Sequence, residues 1–194
     1  MKVSDVKAYA LSIPLKNMPA RGIGRPIKKD AVVVKVTLED GTVGWGEAQA
    51  PLAPEVACAI VEHLLRPAIV GVDFEGTPAQ IAQLWSRMFA TMRVRGQNGG
   101  FMLDAMSGVD IALWDLAGKM TGKPVCELLA AAPRQIIPAY LSGTSGTTPA
   151  ERAHFAARYA DAVFASNRTA KPDSLVENFF ERLFHAVHLV LVAL

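Results

Sequence analysis

Several groups of residues have types and spacings that could do chemistry. In the run Ser107 to Leu129, SGVDIALWDLAGKMTGKPVCELL, Asp110 stands four before Trp114 and Asp115 four before Lys119, so each pair shares a helical face. A carboxylate taking an indole N–H and a carboxylate–ammonium pair can orient groups. Acid–base catalysis asks for a further ionisable partner, and none accompanies them, so anchoring of the helix is the simpler reading. At Gly44, Gly46 and Glu47, two glycines spaced by one weaken a strand and signal close backbone approach or a bend, with a carboxylate beside them that could face a site. They make no dinucleotide fingerprint, since no third glycine opens a helix after them. RVRGQNGG at Arg93 to Gly100 lacks both the ending of a phosphate loop and any carboxylate for a metal. Glu181, His185 and His188 have ligand-compatible spacing, yet no fourth ligand, and a solvated helix face explains them more simply.

These residues need elements to position them, and composition bounds what those elements build. The 194 residues are 51% hydrophobic and 20% charged with a net charge of +2, which describes an ordinary globular protein. No basic run with interleaved aromatics occurs, so no nucleic-acid partner is implied. Two cysteines, Cys58 and Cys126, are too few for a disulfide framework and sit in apolar contexts that predict buried thiols. No charged-then-apolar leader opens the sequence, which sets a cytoplasmic location as the default. The final LVLVAL is far shorter than the ~20 residues of a membrane span.

Val32, Val34, Val36 and Leu38 alternate with more polar neighbours, the period of a strand with one buried face. Asp40-Gly41 reads as a tight turn with two positive-φ positions, and Thr42 to Ala48 as the returning strand. An earlier strand, Val3 to Ile13, completes a three-stranded antiparallel sheet, separated from the hairpin by a long loop, Pro14 to Asp30. Helices follow: about Pro54 to Leu65, ended by Pro67; one opened by the capping box Thr77-Pro78-Ala79-Gln80, with Ile81, Leu84, Trp85, Met88, Phe89 and Met92 as its stripe; and about Met102 to Thr121, stopped by Gly122 and Pro124. Sheet followed by helical group makes the fold class α+β.

GWGEA at Gly44 to Ala48, the Ser107 to Leu129 run and IPAYLSG at Ile137 to Gly143, in that order and at those separations, resemble the N-terminal part of the mandelate racemase/muconate lactonizing enzyme group of the enolase superfamily. The resemblance covers about residues 1 to 163. It implies an enolase-like N-terminal capping domain over 1–132 and the first βα unit of a barrel over 133–163; residues 164–194 stand outside it as an atypical tail, read as helical from their own pattern. It further implies that the Pro14 to Asp30 loop and the loop from about Gln49 to Pro54 cover an active site, with Arg21, Arg25 and Gln49 as substrate-binding positions. The implied substrate is a small carboxylic acid, and the parent chemistry is Mg²⁺-dependent proton abstraction next to a carboxylate by a racemase, dehydratase or cycloisomerase.

Length limits how much of that chemistry these residues hold. A complete (β/α)8 barrel takes ~200 to 250 residues, and only 62 run from Pro133 to Leu194. Ile136 to Leu141 reads as a short strand, and Thr148-Pro149-Ala150-Glu151 as a second capping box opening a helix with Phe155, Tyr159 and Val163 on one face. The family's next element would be a strand ending in Lys-x-Lys or Lys-x-Arg. In its place stands VFASNRTAKP, and glycine is absent after Gly146, a change consistent with a shifted reading frame near Val163 or with divergence. Ser174 to Glu177 is a third capping box, opening an amphipathic tail helix. The expectation is a truncated, incomplete barrel fragment with no catalytic residue, no metal ligand and no cofactor of its own, Mg²⁺ belonging to the full-length family. Two other readings stay open: a non-catalytic binding module, and a chain that works as a homo-oligomer or with a barrel-bearing partner.

Overall fold

In the computed structural model, residues 1–14, 28–50, 52–134, 146 and 148–169 are described, the last ten as backbone only. The chain forms two compact units, Met1–Pro133 and Arg134–Leu194.

The first unit opens with an antiparallel sheet of β1 (Val3–Pro14), β2 (Lys28–Leu38) and β3 (Val43–Ala48), in that spatial order. Alternation does what the valines require: Val6, Val32, Val34, Val36 and Ala48 are fully buried on one face, while Lys35 and Trp45 pair across the other, with the ammonium 5.7 Å from the indole ring. β2 begins four residues before its first valine, because Lys28, Lys29 and Asp30 pair with Pro14, Ile13 and Ser12. The long loop read over Pro14 to Asp30 is therefore shorter at both ends. Its remaining residues, with Arg21 and Arg25, lie outside the described set.

The hairpin turn differs from the expected one. Gly41 has φ +87°, but Asp40 does not take positive φ. The Leu38 carbonyl accepts from the Gly41 N–H at 3.0 Å, and the Leu38 N–H donates to Thr42 at 2.9 Å. This is a three-residue loop with a left-handed third position, a common hairpin alternative. The Asp40 carboxylate decides it by accepting from both the N–H and the hydroxyl of Thr42, each at 2.9 Å.

On the buried side come α1 (Pro54–Ile60), a π-helical turn (Val61–Leu65), α2 (Arg66–Ile69), α3 (Pro78–Arg93), α4 (Phe101–Thr121) and α5 (Val125–Leu129); α1, the π-helical turn, α2 and α4 pack on the sheet, while α3 and α5 pack on other helices. The first helical stretch does not end at Pro67. The wide turn before it places Pro67 in the first turn of α2, where a residue without an N–H leaves no bond unmade. α3 is capped as expected at one end of its box: Thr77 Oγ1 accepts from the Gln80 N–H at 3.2 Å. Gln80 reaches past the cap, bonding the Glu75 N–H and the Asp73 carbonyl, both at 2.6 Å. α5 is an element the sequence hid, since Pro124 reads as a stop and serves as its N-cap. Cys126, on α5, is exposed and Cys58 half-buried, so neither is the buried thiol expected. α5 buries no residue at all.

α4 is the central helix. Nine of its residues, from Met102 to Ala117, are buried, and it packs on β3, β2, α1 and α3. With side chains such as Leu113 and Leu116 each contributing ~1.5–3 kcal/mol when fully buried, this helix anchors the unit. Gly122, at φ +66°, closes it in the left-handed conformation.

In the second unit, α6 (Pro149–Thr169) opens with a complete capping box. The Thr148 N–H donates to Glu151 Oε2 at 3.1 Å, and the Glu151 N–H to Thr148 Oγ1 at 3.2 Å. Phe155 and Tyr159 touch one turn apart, ring centroids 4.4 Å apart. The strand read at Ile136 to Leu141 and the tail beyond residue 169, with Glu181, His185 and His188, lie outside the described residues.

Candidate functional site

The two glycines of β3 face α4. A Cβ on Gly44 would overlap the Ala112 carbonyl oxygen, and one on Gly46 the Gly108 carbonyl oxygen; Gly108 in turn leaves only 2.8 Å between its absent Cβ and Ala48 Cβ. The paired glycines thus mark close backbone approach, as their spacing suggests. This seam also explains the acidic run. Asp115 Oδ2 accepts from the Trp45 N–H at 2.8 Å and from Lys119 Nζ at 2.6 Å, and Lys119 Nζ donates to the Val43 carbonyl at 2.8 Å. The pair is more than a solvated surface ion pair: it satisfies the outer edge of β3 as another strand would, and so blocks that edge. Five residues earlier, burial raises the Asp110 carboxyl above the ordinary range, with the neighbouring Trp114 side chain acting to lower it. Sequence reasoning placed both pairs on helix faces. What it lacked was the α4–β3 register.

At the sheet's other end, where β1 stops, β2 starts and β3 runs out toward α1, three polar side chains converge. Ser12 Oγ donates to Asp30 Oδ1 at 2.5 Å, Lys28 Nζ lies 3.1 Å from the same oxygen, and Lys28 also reaches Ser12 Oγ at 3.5 Å. The Asp30 side chain is only 1% exposed. Its loss of solvent acts to raise its pKa, but the Ser12 and Lys28 hydrogen bonds, the Lys28 charge and the Leu52 main chain together hold it below the ordinary carboxylate value. Leu52 has φ +69°, in a region where a branched side chain is strained. Gln49 lies in the same connection and is exposed. Ser12, Lys28 and Asp30 went unnoticed in the sequence because they fell at the margins of a supposed loop; cross-strand pairing of Ser12 with Asp30 is the signal, visible only once register is known.

The described residues do not suit a Mg²⁺ ion. Such an ion asks for an octahedral set of oxygen ligands, and no group of three or more His, Cys, Asp or Glu is placed to hold a metal among the described residues. Several of their carboxylates are committed elsewhere: Asp5 and Glu62 to Arg66, at 2.9 and 3.7 Å, Asp115 to Lys119, Asp30 to Lys28. No described helix is long and apolar enough to cross a membrane.

Comparison with known proteins agrees with this architecture. Residues 5–130 match the family model of the mandelate racemase / muconate lactonizing enzyme N-terminal domain. The D-galactarolactone cycloisomerase of Agrobacterium fabrum is 33% identical over 144 residues, 74% of this chain and 36% of the relative. A D-galactonate dehydratase family member of Paenibacillus sp. is 40% identical over 109 residues, 56% of this chain and 25% of the relative. A solved enolase-superfamily structure from Agrobacterium tumefaciens superposes with a TM-score of 0.70 at 30% identity, covering 82% of this chain and 45% of that one. The chain thus spans about a third or less of these two curated relatives. Three-stranded sheet, helical group and glycine seam together with the 5–130 match lead to one conclusion: the chain belongs to the mandelate racemase / muconate lactonizing enzyme family of the enolase superfamily, and residues 5–130 are its N-terminal domain.

Proposed function

We propose that residues 1–132 are the substrate-capping domain, and 133–163 the first βα unit, of an enzyme that abstracts a proton next to a carboxylate with Mg²⁺. Its substrate class is a small sugar acid or its lactone. The observation that carries the reading is the family match over 5–130, on a chain whose similar relatives are named as a galactarolactone cycloisomerase and galactonate dehydratases. In this reading Arg21 and Arg25 recognise the acid through their guanidinium forks and Gln49 contacts its hydroxyls. The metal ligands and bases would come from barrel strands, because no three carboxylates, histidines or cysteines among the described residues are placed to share an ion, and so no octahedral oxygen set is offered.

Residues 1–194 are accordingly inactive alone. An unassisted side-chain base cannot remove so weakly acidic a proton without a cation to stabilise the enediolate. The test is to incubate the purified chain with Mg²⁺ and D-galactonate or D-galactarolactone, then repeat with a separately produced barrel from a relative. No turnover alone and turnover after mixing would support the reading. Turnover by the chain alone, or none in the mixture despite a stable complex, would overturn it.

A further inference from the structure

We infer that Asp30 is a positioning residue for the connection between β1 and β2: with Ser12 and Lys28 it clasps the two-stranded end of the sheet from which residues 15–27 leave and to which they return. The inference leans on the proposed function only in taking Arg21 and Arg25, within that connection, as substrate contacts. The clasp itself stands on geometry.

The need for a clasp follows from where the sheet narrows. β3 ends at Ala48, which pairs with Val32. From Ala31 back to Lys28 the described strand partner of β2 is therefore β1 alone, through Leu11, Ser12, Ile13 and Pro14. A two-stranded ribbon is marginal in water unless something buries one of its faces or ties its strands. Burial does little here, since Leu11 and Ile13 stay 49% and 50% exposed and Ala10, Ser12 and Pro14 are exposed as well. The tie is polar. Ser12 and Asp30 stand directly opposite each other; Ser12 Oγ donates to Asp30 Oδ1 at 2.5 Å, and Lys28 Nζ lies 3.1 Å from the same oxygen and 3.5 Å from Ser12 Oγ. Side chains from both strands thus close a triangle, and the Asp30 carboxylate, only 1% exposed, is the corner the other two share. Charge-assisted hydrogen bonds to a carboxylate shielded from water are among the stronger contacts side chains make. Position then gives the clasp its role. The last pair of the ribbon is Pro14 with Lys28, and these two residues are the covalent ends of the connection. Lys28 is itself in the triangle and Ser12 stands two residues before Pro14, so the clasp holds both ends at one strand spacing and limits the conformations open to the chain between them.

The test uses the intact chain carrying Ser12→Ala, Asp30→Ala or both. Hydrogen–deuterium exchange is read by mass spectrometry on ribbon peptides, residues 10–14 and 28–31, with the rest of β2 and α4 as reference. Asp30→Ala removes the shared corner and is expected to speed ribbon exchange about tenfold, and Ser12→Ala, which leaves the Lys28 contact, about threefold. The double variant should exchange no faster than Asp30→Ala, because the Ser12 hydroxyl acts through the carboxylate. Val34 to Leu38 and α4 should keep the parent's protection. Limited trypsin cleavage after Arg21 should quicken in the same order, which ties the ribbon to the connection it carries. Effects that multiply in the double variant would show two independent residues and overturn the inference. So would a folded Asp30→Ala variant whose ribbon exchanges at the parent's rate, a loss spread evenly over ribbon, β2 and α4, or a loosened ribbon with cleavage after Arg21 unchanged. None of these readouts depends on turnover, so the clasp and the proposed activity can fail separately.

Discussion

Replacing Gly46 by alanine tests the α4–β3 seam directly. The added Cβ would overlap the Gly108 carbonyl oxygen and lie 2.8 Å from the Ala112 nitrogen. Both are backbone atoms of a buried helix, and backbone cannot escape by changing rotamer. Strand and helix must separate by something on the order of 1 Å, enough to forfeit a quarter to a half of each lost dispersion contact along the seam. Overpacking of this kind costs ~1–3 kcal/mol, occasionally more. The same displacement stretches the Trp45 N–H bond to Asp115, adding about 1 kcal/mol. Against this, alanine loses less chain entropy on folding, by ~0.4–1 kcal/mol. The balance is a loss of about 2 kcal/mol, or roughly 8 °C in Tm for a unit of this size. Urea unfolding followed by tryptophan fluorescence reads it, since Trp45 sits beside the substitution. Gly41→Ala is the control: nothing lies within 4 Å of its absent Cβ, and only φ +87° is offended, for ~1–2 kcal/mol. If Gly46→Ala costs no more than Gly41→Ala, the close approach is not what the glycine is for, and the reasoning fails.

Other expectations follow from single contacts. Thr77→Ala removes the α3 cap and should lower stability by about 1 kcal/mol in the same urea assay. Asp115→Ala strips the β3 edge of its acceptor; a loss of about 1 kcal/mol or less is expected, given partial exposure. Concentration-dependent association should appear in light scattering as the edge opens. For Asp110 the sign follows from its raised pKa, caused by burial: its favourable contribution is present when protonated, below the ordinary carboxylate value, and is lost as pH rises through the folded-state value. Asp110→Asn keeps an acceptor for Trp114 and removes the buried charge. It should therefore match or exceed the parent at pH 7 and lose that advantage toward pH 4, as urea midpoints at the two pH values would show.

How much was legible in the sequence depended on whether the signal was local. Val32, Val34 and Val36 announce a strand because every second residue must face the core, and Thr77 and Thr148 announce helix starts because caps are one-turn affairs. Gly44 and Gly46 signalled close approach without naming the neighbour. What stayed hidden was set by register or by competition. The start of β2 at Lys28 carries no alternation and is held by pairing with Pro14. The turn at Asp40 was decided by a carboxylate capturing Thr42 in place of a left-handed backbone. Pro67 looked like a stop, and a π-helical turn made room for it. For the candidate site, Gln49 follows the last residue of β3, while Asp30, Ser12 and Lys28 could not be joined until two strands were in register.

The distribution of charge then bears on where chemistry can occur. A catalytic carboxylate must be free to bind a metal or move a proton, and here the acidic groups that pack against the fold serve as fasteners. Asp115 closes a strand edge, Asp40 shapes a turn, Asp5 ties β1 to α2 through Arg66 at 2.9 Å, and Asp30 joins the ends of β1 and β2 through Ser12 and Lys28. Freeing any one of them would cost structure before it supplied a ligand. Domains that position loops over a reaction carried out elsewhere are expected to look like this: rigid where glycines and carboxylates lock helix to sheet, with their recognition groups set on the connections that leave one end of the sheet. On that physical ground, changes at Asp115 or Gly46 should act on stability and association, whereas changes at Asp30 should act first on the end of the β1–β2 pairing that Ser12 and Lys28 share with it.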